Sequence, residues 1–261
     1  MTPGAEASPG APAAAGAVGD PGPPNAGKDS SLGRLPKVLV QPGATFRSIA
    51  ARPSWVAPLV LMALITTALG YLVASRIDFE QALRAQNEKS GGQMSAEQLD
   101  ERAETIKKVT PILALVQGLV GAPAFYLVVA LLFWVAFKLL GSELSYKASL
   151  ATTLHALLPA AISALLAIPV IWNRASFTPD EARSGAFLAS NLASLAPEGT
   201  GRVATALLGS VDLFSIWAII LLVIGYRIVA RVSRAAAVSV VLAIWLLGVA
   251  VKVALLALAP G

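Results

Sequence analysis

From Ser54 onward the chain alternates between long apolar blocks and polar connections. The blocks run 54–75 (SWVAPLVLMALITTALGYLVAS), 111–140 (PILALVQGLVGAPAFYLVVALLFWVAFKLL), 148–172 (ASLATTLHALLPAAISALLAIPVIW), about 206–226 and 235–259 (AAAVSVVLAIWLLGVAVKVALLALA). A hydrocarbon core about 30 Å thick takes roughly 20 helical residues to cross, and each block is of that order. Their lengths argue against half-spans in re-entrant hairpins. The pattern predicts an all-α, polytopic membrane protein, a five-transmembrane-helix bundle with short extramembrane helices. The second block is long for one crossing and must tilt, kink or protrude, with Gly121 and Pro123 as the natural kink. The fourth begins near Val203 or near Val211.

The polar segments divide the rest. Residues 1–35 (MTPGAEASPGAPAAAGAVGDPGPPNAGKDSSLGRL) are mostly Ala, Pro and Gly, with too little to bury, and read as a disordered tail. The membrane domain then covers 36–261. Its approach, VQPGATFRSIAARPSW, has Pro42 at a helix start and Pro53 at a stop, with Phe46, Ile49 and Ala50 on one face. That is either a short helix lying among lipid headgroups or a plain juxtamembrane linker. Two soluble insertions, 76–110 and 173–202, separate the spans. In the first, MSAEQLDERAETIKK opens with a capping box, Ser95 as N-cap and Gln98 three positions on. In the second, Thr178, Pro179 and Glu181 read as a helix start.

Composition agrees: 56% of the 261 residues are hydrophobic and 13% charged, where soluble domains carry about a quarter charged. Mean hydropathy is +0.70. The net charge of +5 is explained by basic residues flanking spans, so no nucleic-acid partner is expected. With no cysteine, disulfides, thiol catalysis and thiolate metal sites are excluded. No apolar signal region precedes residue 35, so the first span is expected to serve as an uncleaved anchor. Arg47 and Arg52 before the first span, and Arg227, Arg231 and Arg234 between the last two, place the N-terminus in the cytoplasm and the C-terminus outside. In a bacterium that membrane is the inner membrane.

The spans hold few polar groups. Asp212 precedes Arg227 by 15 residues, about 22 Å of helix, and Lys252 follows Arg234 by 18, about 27 Å. Both fall at similar depth on the outer side. Charges within a bilayer face the bundle and pair, so Asp212 and Lys252 form a candidate polar pair. The alternative has Asp212 capping its helix while Lys252 snorkels outward. His155, the single histidine, lies about 12 Å into the third span and is a candidate polar core residue. No catalytic constellation, cofactor motif or metal-ligand set is found. Ala114, Gly118 and Ala122, with Gly121 beside them, form a small-residue ridge for helix packing within the chain or in a homo-oligomer.

Three stretches carry a family likeness. QPGATFRSIAARPSWVAPLVL resembles the start of the Yip1 domain family: a proline, a phenylalanine, then a Pro-aromatic step into the first span. LSYKASLATTLHALLPAAISALL resembles the family's approach to its third span, and VDLFSIWAIILLVIGYRIVARVSRAAAVSVVLAIWLL its last two spans. The likeness runs from about Leu39 to Leu258. It implies five spans, a cytoplasmic N-terminus and no known catalysis. Eukaryotic members are associated with vesicle trafficking and small GTPases, but TLHALLP stands where they carry a Gly-Tyr pair, so the resemblance is to bacterial-type members. The expected role is non-enzymatic, organising lipids of the bilayer or a membrane or cytoplasmic protein partner. The alternative is a small secondary transporter or channel component using Asp212, Lys252 and His155.

Overall fold

The structure, a computed structural model, describes residues 30–258 other than 180–181, 183–186, 189 and 198. Residues 1–29 of the expected 1–35 tail, and Glu181 of the helix start at Thr178, lie outside the described residues; the end of that tail is described, and a helix begins in it at Arg34. Among those described there is no strand, only helices: α1 Arg34–Val40, α2 Pro42–Ala51, α3 Val56–Ala74, α4 Phe79–Lys89, α5 Ala96–Val116, α6 Ala122–Leu139, α7 Tyr146–Ala156, α8 Leu158–Trp172, α9 Arg202–Leu208, α10 Leu213–Val229 and α11 Arg234–Leu258. Four helical stretches are long and apolar enough to cross a membrane: Val56–Ala74, Ala96–Leu139, Tyr146–Trp172 and Arg234–Leu258. The apolar α10 is shorter, at 17 residues. The apolar pattern places its block at about 206–226 and leaves the start open between Val203 and Val211. The structure has both pieces: α9 ends at Leu208 and the helix restarts at Leu213, because Asp212 adopts extended backbone and caps the new start.

The second crossing is longer than the apolar pattern suggests. The insertion's capped helix and the span form one helical stretch of 44 residues, Ala96–Leu139, about 66 Å against a hydrocarbon core of about 30 Å. The capping box forms as expected: Ser95 Oγ accepts from Gln98 N, and Gln98 Oε1 accepts from Ser95 N. Pro111 lies inside α5 without breaking it. The irregularity appears further on, where Gln117–Gly121 forms a single π-helical turn. π-turns are a recognised source of bends and adjust the phase of the faces on either side.

Beyond the lipid core the charged start of α5 pairs with α4. Arg84 bridges Glu80 at 2.7 Å and Asp100 at 3.0 Å. Its hydrogen bond to Asp100 first, and the Glu80 carboxylate second, hold the guanidinium above its ordinary pKa. Asn87 fastens the turn, donating to Met94 O and accepting from Met94 N. The two insertions meet at the same end of the bundle. Asp78 N donates to Phe177 O and Phe177 N to Arg76 O, while Arg76 lies over the Trp172 ring.

At the other end, the second–third connection and the last turn are clasped together by Ser142 Oγ, which donates to Ala230 O. Here α2 packs against α10 and α7. Phe46 and Ile49 are fully buried, so the apolar face of α2 is spent on protein and not on headgroups. Large apolar side chains are instead exposed along the crossings, including Leu119, Val120, Phe125, Val128 and Leu246. A belt that wide on a soluble protein would be a severe aggregation liability; facing lipid it costs nothing.

Candidate functional site

The core of the bundle is unusual in its chemistry. All of Ala148–Ala156 in α7 is buried, although this is a run of Ala, Ser and Thr with only two leucines. Small residues let the surrounding helices approach, and their hydroxyls find carbonyls. Thr152 Oγ1 bonds back to Ala148 O at 2.8 Å, and Ser149 Oγ donates across to Ala130 O of α6 at 2.8 Å. Tyr226 of α10 completes the ladder. Its hydroxyl lies 2.8 Å from both Ser149 Oγ and Thr153 Oγ1, and its ring stacks on Phe133 and Phe137 at 4.6 and 4.7 Å.

His155 sits at the end of this ladder, wholly buried. Its Nδ1 lies 2.8 Å from Ala151 O in its own helix, and Nε2 is buried without a partner. A bond to a carbonyl puts the proton of the neutral ring on Nδ1 and leaves Nε2 a bare acceptor. Just beyond it the chain breaks at Leu157 and restarts at α8 with Pro159 in its first turn. Pro159 has no N–H to give the His155 carbonyl, which fixes the break at this point. Arg34 is also buried, donating from Nη1 to Arg52 O and Ser54 Oγ, and so ties α1 to the start of α3.

Asp212 lies at the opposite end, and its cost is explained locally. One carboxylate oxygen accepts from Phe214 N at 2.7 Å and Ser215 N at 3.0 Å, the other from Ser215 Oγ at 2.5 Å. A carboxylate at a helix N-terminus satisfies otherwise orphaned N–H groups and meets the positive end of the helix dipole. Lys252 comes into the same neighbourhood but stops at Ser210, with Nζ 3.4 Å from Oγ. Among the described residues no ion pair within 4.0 Å joins it to Asp212. Removing the cap by Asp212→Ala should lower stability by about 1 kcal/mol. A double-mutant cycle with Lys252→Gln, read from thermal melts in detergent, should give additive effects within about 0.5 kcal/mol.

Beside Lys252 a cleft of about 1130 Å³ opens between α6, α9, α10 and α11, lined almost wholly by apolar side chains. His155 is not among its walls. The small-residue ridge lies elsewhere, against α3: Gly70 faces Ala114, and Gly118 abuts Thr67 so closely that an added Cβ would fall 2.5 Å from Thr67 Cα. Ala122 is buried, and Gly121 is shadowed by the Gln117 side chain.

A helical bundle girdled by exposed apolar side chains, with hydroxyl-rich helices packed inside it, defines an integral membrane protein. The Yip1 domain matches residues 37–255, and the chain belongs to that family. It is 27% identical over 213 residues to a Bacillus subtilis (strain 168) protein named "Membrane protein YknW", with 81% of this chain and 85% of that one covered. No solved structure matches the chain.

Sequence reasoning singled out Asp212, Lys252, His155 and the ridge, but missed Tyr226, Ser149, Thr153 and Arg34. Ser149 and Thr153 had a usable signal. ASLATTLHA is a small, hydroxyl-bearing run inside an apolar block, and such a run needs helical neighbours and not lipid around it. Arg34 had none, because its burial depends on how α1 folds back on the approach to α3.

Proposed function

We propose that this chain is a non-enzymatic membrane scaffold that gathers membrane partners or lipids, with five crossings, a cytoplasmic N-terminus and an outward C-terminus. The observation that supports this reading is the separation of its intramembrane polar groups. Transport sites are built near the midplane from convergent polar groups and broken helices. Here His155 is sealed among packed side chains, Asp212 is consumed by a helix cap, and Lys252 stands at the edge of an apolar cleft. The contact surface would be the α4–α5 projection, a charged hairpin stiffened by Arg84 and carried on a helical stretch about twice as long as the hydrocarbon core is thick.

Photo-crosslinking from Glu88 and Glu97 in native membranes tests this. Both side chains are exposed. Discrete protein adducts that vanish when Arg84 and Asn87 are replaced by alanine, and the hairpin loosens, are expected. A diffuse ladder unaffected by those changes, together with solute accumulation altered in a deletion strain, would turn the ranking toward the transporter.

A further inference from the structure

The geometry points to a binding site for one anionic phospholipid of the outer leaflet, its phosphate on Lys252 and an acyl chain in the cleft between α6, α10 and α11. Four observations converge. The cleft is apolar for most of its length, walled by Val128, Leu132, Leu222, Trp245 and Gly248. It is open to the lipid side, since Val128 is 54% and Leu132 40% exposed. Along α11 its walls run from Val241 to Leu256, about 22 Å, and Lys252 stands about 16 Å from the Val241 end, close to the depth of one leaflet of a core about 30 Å thick. It carries the Lys252 ammonium, held by Ser210, while Asp212, two residues from Ser210 in the chain, has both oxygens engaged in the α10 cap.

Near the outer edge of the core, and with no carboxylate within 4.0 Å among the described residues, the Lys252 ammonium stands at headgroup level and can take a phosphate as its counter-charge. A phosphate diester supplies that charge, and lysine binds phosphate as a point charge without strict geometry. Ser210 Oγ, which already accepts from Lys252 and donates to Ala206 O, keeps the ammonium at the rim. Zwitterionic lipid would fill the same cleft but would bring its own cation to the lysine. The preference for an anionic headgroup should therefore be about fivefold, the effect of one basic residue near a charged surface. This site deepens the scaffold reading by naming a lipid class.

The test is lipid retention by the full chain, purified from nanodiscs of phosphatidylcholine mixed with phosphatidylglycerol and read by native mass spectrometry. The wild-type chain should carry one retained lipid, with phosphatidylglycerol favoured about fivefold. Lys252→Gln should abolish the preference and Lys252→Arg keep it. Gly248→Leu places a side chain where an added Cβ meets nothing within 4 Å, so it should fold normally, with an unshifted melting curve, yet lose the retained lipid whatever its headgroup. Equal retention of both lipids by the wild-type chain, or an undiminished preference in Lys252→Gln, overturns the site. So does a wild-type dimer that Gly248→Leu converts to monomer, which would assign the cleft to a second copy. None of these outcomes bears on the α4–α5 crosslinks, so the lipid site and the scaffold role fail separately.

Discussion

Tyr226→Ala is expected to lower stability by about 3–5 kcal/mol, the range for emptying a buried aromatic site. The ring is wholly buried and sandwiched against Phe133 and Phe137, both also buried, so the walls cannot collapse without moving α6. The hydroxyl adds a second loss, because Thr153 Oγ1 faces it at 2.8 Å within the hydroxyl ladder. Tyr226→Phe isolates that second part. Ser149 Oγ keeps its bond to Ala130 O, so only Thr153 must find another acceptor, and the cost should be about 1 kcal/mol. Combining Tyr226→Phe with Thr153→Val removes both partners, and should be less damaging than the sum of the two singles. Unfolding in mixed detergent micelles, followed by tryptophan fluorescence, reads all three. A Tyr226→Ala variant within about 1 kcal/mol of wild type would mean that the α7–α10 contact is not where the bundle is held together.

The apolar periodicity located the crossings because lipid imposes one rule on every one of them: a run of about 20 residues without exposed backbone polarity. Val56–Ala74, Tyr146–Trp172 and Arg234–Leu258 follow it directly. It failed at two places for different reasons. At Ala96–Leu139 the helix ignores the polarity boundary near Thr110, since helix propagation needs only backbone continuity and the capping box at Ser95 sets the start. At 206–212 the apolar block left the start open between Val203 and Val211, because hydropathy averages over Ser210 and Asp212 while the cap is made by Asp212 alone. The candidate site was legible in kind but not in arrangement. Charge and depth brought Lys252 and Asp212 to one end, yet which atoms they meet depends on the α9–α10 turn, which residue types do not encode. The partner that completes the hydroxyl ladder was illegible in another way. Tyr226 lies 77 and 73 positions from Ser149 and Thr153, and nothing local in its own helix points to them.

Gly118→Val should be the most damaging substitution in the ridge. An added Cβ at Gly118 meets Thr67 through Cα at 2.5 Å and Cβ at 2.7 Å. Backbone cannot rotate aside, so α3 must shift away from the π-turn, and the cost should reach the upper part of the overpacking range, about 3 kcal/mol. Thr67→Ala should not rescue it, because the Cα obstacle remains. Gly121→Ala, three residues on in the same turn, provides the control. There the Cβ meets only the outer atoms of the Gln117 side chain at 2.7 Å, which can swing away, so the change should stay within about 1 kcal/mol of wild type and gain from helix propensity. The two variants separate packing from self-association. A ridge used between copies would make Gly118→Val shift the oligomer distribution in crosslinked membranes while leaving the monomer's melting curve intact. With Gly118 pressed on Thr67 and Ala114 on Gly70 inside one chain, the melting curve itself should fall, and at the same protein concentration the oligomer distribution should follow only as a consequence of unfolding.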